Sequence, residues 1–217
     1  MELPLSFQPY LDELIAFASS ESRKPALLAA KAQYYRLTGE VFEDDKFFDQ
    51  RMASFLDFYL FDWAGAQGKT PALEFFEERS STAAETAIGA YRSFTETLHG
   101  LFEVRKLGKG SVRLRDLYSG KDYEVTERRQ LAGLEKGDIL EARLIPFAGH
   151  LLFSGAFCYH PKGATSAIRK EIKRRKKENP EASAKELAWE CARMALKVDR
   201  YRQISVDKIY DFASKKA

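Results

Sequence analysis

The residues with the most obvious chemical potential form a short basic segment late in the chain. Arg169–Lys177 contains seven cationic residues among nine. On a helix most of these cations lie along one side, where they can follow a row of phosphates and release its counterions. The segment therefore predicts nucleic-acid contacts at Arg169, Lys170, Lys173, Arg174, Lys176 and Lys177.

A second interpretation of the same segment requires no ligand. Short basic runs are common on solvated helix faces, and this one can dock on an acidic surface of its own chain. A membrane surface fits poorly, because Ile168 and Ile172 alone would form a thin apolar face. We therefore predict no membrane partner, and the other two interpretations stay open.

Three arginines outside this segment can extend a basic surface. Arg113 and Arg115 alternate with apolar residues in one strand-like segment, and Arg143 does so in a later one. Successive side chains of a strand point to opposite faces, so these arginines should point away from a core formed by their apolar neighbours. Small barrels with such a face bind oligonucleotides or peptides.

Metal binding and catalysis have less support. Cys158 and His160 are two residues apart and share one face of a predicted strand, yet a metal site needs three or four ligands and no third is placed nearby. The acidic cluster Glu43–Asp49 can attract a cation, but carboxylates at the start of a helix already complement its dipole. We therefore predict no catalytic residue, no metal and no cofactor.

The elements that position these residues follow from the apolar periodicity. Within residues 5–97 the apolar residues recur at helical spacing. The prolines, glycines and capping residues between these stripes predict five helices, with Pro25 and Gly39 bounding the second. Asp57 and Asp62 fall on the polar side of the clearest apolar stripe, which assigns them no special role. That stripe consists of Phe48, Met52, Phe55, Tyr59 and Trp63.

Near Leu101 the apolar period changes from helical to strand-like and predicts five strands. The short turns between them imply antiparallel neighbours. A five-stranded sheet of this length buries one face best by curling into a small β-barrel of the SH3 or OB kind. After Gly163 the helical period returns, and one helix carries Leu187, Cys191 and Met194 on its apolar stripe.

The predicted fold class is therefore α+β, with three regions of different charge. Residues 1–97 form an acidic helical region, residues 98–163 a small antiparallel β-barrel, and residues 164–217 a basic helical region. Their net charges are −7, +3 and +7. This asymmetry implies either two complementary surfaces that meet within the molecule or a basic end offered to a polyanion.

The composition is that of a globular protein, with 45% hydrophobic and 31% charged residues among 217. No apolar run approaches the roughly 20 residues that span a bilayer, and the first residues lack the pattern of a signal peptide. Two cysteines are too few for a disulfide framework. These features predict a cytoplasmic location.

Four segments carry a resemblance to other proteins. Phe58–Trp63 and Gly68–Phe76 resemble parts of a group of uncharacterised bacterial proteins, some of which carry an SEC-C zinc motif. Asp116–Val125 and Gly137–Pro146 are similar to the same group. The cysteine-rich zinc motif is absent here, so the resemblance implies no metal. It implies a bacterial, cytoplasmic origin and transfers no activity.

The sequence favours a non-enzymatic interaction or assembly module that binds a protein partner through its acidic helical surface and its barrel. The alternative is a largely sequence-independent RNA- or DNA-binding protein that uses residues 169–177 and the three barrel arginines. An enzyme is the least supported class, because the chain is poor in catalytic side chains. The position of the basic helix separates the first two hypotheses.

Overall fold

A computed structural model describes residues 6–127, 133–179 and 184–213. Within these residues, five α-helices precede the first strand, as the prolines, glycines and capping residues between the apolar stripes predict. Gly39 ends the second of them with a φ of 91°, and the Thr70 hydroxyl caps the fourth by accepting a hydrogen bond from the Leu73 amide at 3.3 Å. The five helices are α1 (Gln8–Ala18), α2 (Lys24–Thr38), α3 (Phe48–Phe61), α4 (Pro71–Arg79) and α5 (Glu85–Thr95).

The helical region has a core rich in aromatic side chains. Tyr34, Phe58, Tyr59 and Phe75 are buried together, and the Tyr59 hydroxyl donates a hydrogen bond to the Ala18 carbonyl at 2.8 Å. The stripe on α3 supplies much of this core. Two barrel residues, Ile145 and Leu152, belong to the same cluster.

Five strands follow at the predicted change of period. They are β1 (Leu98–Leu107), β2 (Ser111–Asp116), β3 (Asp122–Thr126), β4 (Ile139–Phe147) and β5 (His150–His160). They pair in the closed order β1–β2–β3–β5–β4, with β4 returning to β1. Phe102, Leu114, Leu140 and Phe153 lie in the interior.

The sheet is mixed, so the prediction of a wholly antiparallel sheet is wrong. Val125 of β3 pairs with Leu151 of β5 in parallel, while the other four neighbouring pairs are antiparallel. The reason is geometric. A closed ring with an odd number of strands cannot alternate direction all the way round, so at least one neighbouring pair must be parallel.

Three α-helices follow the sheet in the described part of the chain, namely α6 (Thr165–Glu178), α7 (Ala184–Arg200) and α8 (Val206–Ile209). Leu187, Cys191 and Met194 of α7 are buried, as their spacing predicts. They pack with the outer side of the barrel through Leu101 and Ile139. No helix within the described ranges is both long enough and apolar enough to cross a membrane.

The acidic and basic regions meet, but through α7 and not through the basic segment. Arg51 of α3 lies 2.9 Å from Asp199 of α7. Arg200, at the end of α7, binds Asp45 at 2.5 Å. Its guanidinium lowers the pKa of the Asp45 carboxyl.

Candidate functional site

The basic helix α6 docks on the barrel and on α7. Ile168 and Ile172, its only large apolar residues, are buried against Leu101 and Ile139 of the barrel and against α7. Within the described parts of the chain, the salt bridges of α6 go to β1, to α7 and to α6 itself, and none goes to residues 6–97. The interpretation in which this helix docks on the acidic helical region is therefore wrong.

Two arginines of α6 form salt bridges with carboxylates of the chain. The buried Glu171 carboxylate accepts hydrogen bonds from Arg174 at 2.5 Å and from Arg175 at 2.7 Å. Burial raises the pKa of this carboxyl, but the two guanidiniums outweigh it and hold the pKa below its usual range. Arg174 also binds Glu178, and Arg175 binds Glu190. These carboxylates already balance the charge of Arg174, whose side chain is 36% exposed, and its role as a nucleic-acid contact stays a prediction.

The lysines of α6 face solvent. Lys170, Lys173 and Lys177 are exposed and form no salt bridge with any described residue. Lys176 donates a hydrogen bond to the Tyr118 carbonyl at 2.7 Å and is exposed as well. Lys170 lies seven residues before Lys177 and so on nearly the same side of the helix, where it lines a cleft with Asp211 near the end of the described chain. Its role as a nucleic-acid contact stays a prediction.

Glu103 on β1 joins α6 to the barrel arginines. It lies 3.0 Å from Arg169 of α6 and 3.0 Å from Arg105 of its own strand, and it pairs in register with Arg115 of β2. Arg115 in turn binds Asp122 through two hydrogen bonds of 2.7 and 3.0 Å. We call the resulting surface the basic face, which consists of Arg105, Arg113, Arg115, Arg169, Lys173, Lys176 and Lys177.

Arg143 does not belong to this surface, which corrects its predicted role. Its side chain points out of the barrel as the alternation predicts, but helices cover β4 there, and Arg143 is only 2% exposed. It forms a salt bridge with Asp62, donates to the Thr97 hydroxyl at 2.8 Å and lies 3.5 Å from Asp57. Nucleic acid cannot reach it.

Asp57 and Asp62 therefore have a role that their helical position did not predict. Together with Arg143 and Lys185, whose Nζ lies 2.5 Å from Asp62, they form what we call the Arg143 centre. Burial raises the pKa of Asp57 despite Arg143. For Asp62, Arg143 and its other cationic neighbours outweigh burial and lower the pKa. The charged residues Glu141 and Arg143 in a mostly apolar strand were the sequence signal for such a centre.

A second buried group, which we call the Glu141 cluster, comprises Glu141, Cys158 and His160. Glu141 of β4 pairs in register with Cys158 of β5, and one ligand atom from each of the three residues lies within 4.8 Å of the others. His160 Nδ1 lies 2.9 Å from the Tyr210 hydroxyl, and Oε1 of Glu141 lies 2.9 Å from His99 Nε2.

Glu141 and His160 are buried, and Cys158 is half-buried. Burial, reinforced by Glu141, raises the pKa of the Cys158 thiol to about 12. Burial and the charge of Arg51 lower the pKa of His160 to about 3. The sequence predicted that Cys158 and His160, two residues apart, share one face of a strand. The third donor, Glu141, comes from the neighbouring strand, and its proximity follows only from the pairing register of β4 with β5.

A cavity of about 90 Å³ adjoins this cluster. Glu141 and Cys158 line one part of it, and Arg51, Asp199 and Tyr34 line another. Polar and charged groups thus face a space large enough for a few water molecules.

Comparison with known proteins gives a family but no function. A family model described as a family of unknown function (DUF7986) matches residues 28–191, which is well over half of the chain. This span includes the Glu141 cluster and the whole basic face. No curated protein and no solved structure matches the chain. The resemblance to bacterial proteins with an SEC-C motif stays a prediction.

Proposed function

The chain belongs to this family of unknown function, DUF7986, and we propose that it binds single-stranded RNA or DNA, with little sequence preference, on its basic face. The observation that carries the proposal is the placement of α6. Its two isoleucines anchor it to the barrel and α7, which leaves Lys173, Lys176 and Lys177 exposed to solvent. Exposed cations in a row are the groups that neutralise phosphates.

The barrel supports the same proposal. Five strands in the order β1–β2–β3–β5–β4, with a single parallel contact between β3 and β5, are typical of barrels of the OB kind, whereas SH3 barrels lack that contact. OB barrels bind oligonucleotides across the face of their second and third strands. Here Arg113 and Arg115 lie on β2, and Glu103 links that face to α6 through Arg169.

Two observations favour binding that is weak and independent of sequence. Asp122 and Glu124 lie directly opposite Arg115 and Arg113, so part of the positive charge is already balanced. The nearby aromatic rings are engaged in packing, since Tyr123 contacts Phe102 at 6.2 Å between ring centroids. With few aromatic rings for base stacking, phosphate contacts must supply most of the affinity.

An interaction or assembly module remains the second candidate, and exposed apolar side chains favour it. Phe42 is 52% exposed and Phe47 45% exposed, in a segment that also contains the acidic residues Glu43 and Asp44. Such a surface suits a protein partner with complementary apolar and basic groups. Neither proposal involves an enzymatic activity, and we further propose a cytoplasmic location for the protein.

Fluorescence anisotropy with labelled mixed-sequence RNA and DNA oligonucleotides, single- and double-stranded, tests the first proposal. Wild-type affinity should fall steeply with salt. The variant Lys173→Gln/Lys176→Gln/Lys177→Gln should bind more than about tenfold more weakly, with a salt slope flatter by about 0.7 per lost phosphate contact. Its free energy of unfolding should hardly change, because the three lysines are exposed.

A matched variant controls for net charge. Lys24→Gln/Lys197→Gln/Lys208→Gln removes the same charge from exposed lysines on α2, α7 and α8. It should retain nearly all of the wild-type affinity. Equal losses in the two triple variants, or no binding even at about 50 mM salt, would overturn the proposal and leave the interaction module as the better candidate.

A further inference from the structure

We propose that Glu141, Cys158 and His160 form a binding site for a divalent transition-metal ion of the zinc class. Their donor atoms are a carboxylate oxygen, a thiolate sulfur and an imidazole nitrogen, which are the three kinds of protein ligand that zinc prefers. They lie on two paired strands, with Glu141 directly opposite Cys158. This site is separate from the basic face and does not depend on the proposed nucleic-acid binding.

The spacing of the donors suits a small cation. The three ligand atoms lie within 4.8 Å of one another. Zinc bonds of about 2.0–2.3 Å in tetrahedral geometry bring donor atoms about 3.3–3.8 Å apart. All three residues lie in the regularly paired part of the β4–β5 ladder, before its register shift at Ala142–Leu144, so small side-chain rotations are enough to close this difference.

Unsatisfied polar atoms point independently to a missing ligand. His160 is 6% exposed and Glu141 is 7% exposed. Neither Nε2 of His160 nor Oε2 of Glu141 has a hydrogen-bond partner among the described residues. Buried polar atoms without partners are costly, and most native ones are satisfied. A cation bound between these two atoms and the Cys158 sulfur would satisfy both at once.

The other polar atoms of these two side chains, Nδ1 of His160 and Oε1 of Glu141, already have hydrogen-bond partners. Tyr210 hydrogen-bonds His160 at Nδ1, and when Nδ1 is the donor, Nε2 presents its lone pair to the cluster. His99 holds Oε1 of Glu141, which leaves Oε2 as the coordinating atom. Hydrogen-bonded outer partners of this type orient the ligands of metal sites.

The charges of the site balance with a divalent ion. Glu141 contributes one negative charge, and Cys158 contributes another once its thiol proton has been released to solvent on metal binding. Arg51 and Asp199 cancel each other in a salt bridge of 2.9 Å. A dication therefore brings the site to neutrality. The adjoining cavity of about 90 Å³ leaves room for water as a fourth ligand.

Titration of the purified, tag-free, chelator-treated full chain with Co²⁺ tests this site. One Co²⁺ per chain should bind and give the thiolate-to-cobalt charge-transfer absorption and the visible bands of tetrahedral cobalt. Zn²⁺ should displace it with the same stoichiometry. Zn²⁺ should also raise the melting temperature of the wild-type chain, whereas Mg²⁺ should not.

The two cysteines provide a matched pair of variants. Cys158→Ala should abolish the charge-transfer band and weaken binding by about 100-fold or more, whereas Cys191→Ala, on the apolar stripe of α7, should keep both. Circular dichroism checks that each variant is folded. No stoichiometric binding by the wild type, or an unchanged band in Cys158→Ala, overturns the proposal. An equal loss of the band and of affinity in Cys191→Ala also overturns it. If neither variant folds, the titration of the wild-type chain alone tests the proposal.

Discussion

The basic face and the Arg143 centre are both built from charged side chains, but they differ in sign, in burial and in spacing along the chain. Most of the basic face comes from one helix and one strand, and its side chains are largely exposed, as with Arg169 at 50%. The Arg143 centre combines both signs and joins α3 to β4, more than 80 residues apart. We therefore expect the first to tolerate substitution, whereas Arg143 and Asp62 of the second are buried.

The physical reason is the cost of desolvation. An exposed cation keeps its water, so it remains available to an external phosphate. A buried guanidinium has lost its water and must be balanced by carboxylates of the same chain. Arg143 lies near two of them, Asp57 and Asp62, and Asp62 is shared with Lys185. Burial therefore separates the arginines of this barrel that are accessible to a ligand from the one that is paired within the fold.

The largest expected effect tests this contrast between two arginines of the same barrel. Arg143→Met should lower the free energy of unfolding by about 3–5 kcal/mol, because it leaves the buried carboxylates of Asp57 and Asp62 without their main partner. Arg113→Met, at an exposed position on β2, should change it by no more than about 0.5 kcal/mol. Urea denaturation of the two variants measures the difference. Equal losses would show that the Arg143 centre is not a buried ion pair.

The same contrast explains how far the sequence could predict the structure. Apolar periodicity depends on near neighbours, so it located the five N-terminal helices, the change to strands and the stripe on α7. The outward direction of Arg143 followed from strand alternation and is confirmed. Its burial could not be predicted, because nothing local states that α3 covers the outer side of β4.

The candidate sites divide in the same way. The basic segment was evident because its cations are consecutive, whereas the pairing of Arg174 with Glu171 required the positions of side chains on the folded helix. Cys158 and His160 could be paired from their spacing, but Glu141 is brought to them by strand register. A closed ring of five strands already requires one parallel pair, but that this pair is β3–β5 depends on the strand order, which no local pattern specifies.

An intermediate effect is expected at Glu171, where the basic helix has a buried carboxylate of its own. The two arginines depress its folded-state pKa. Its contribution to stability is therefore fully present above the unfolded pKa of about 4.3 and is lost as the pH falls through the lower folded value. Glu171→Gln should lower the free energy of unfolding by about 1 kcal/mol at pH 7.

Urea titrations of wild type and Glu171→Gln across the acid range measure this prediction. The difference between the two proteins should shrink as the pH falls below about 4. Glu186→Gln, an exposed carboxylate in the first turn of α7 for which no salt bridge occurs among the described residues, serves as the control. A difference for Glu171→Gln that grows with acidification would contradict the assigned role.

The smallest expected effect concerns an acidic residue within the basic face. Glu124 is exposed on β3, lies opposite Arg113 in register, and accepts a hydrogen bond from Ser111 at 3.1 Å. Without the negative charge of Glu124, the positive charge of Arg113 is no longer partly cancelled and attracts phosphates more strongly. Glu124→Gln should therefore tighten binding of single-stranded oligonucleotides by about two- to fivefold at low salt. The gain should vanish at high salt, where screening is complete.

Glu21→Gln, which changes an exposed carboxylate before α2, is the control and should leave the affinity unchanged in the same anisotropy assay. If both substitutions tighten binding equally, the ligand responds to net charge alone and the basic face has no special position. If neither does, the oligonucleotide does not pass over β2 and β3.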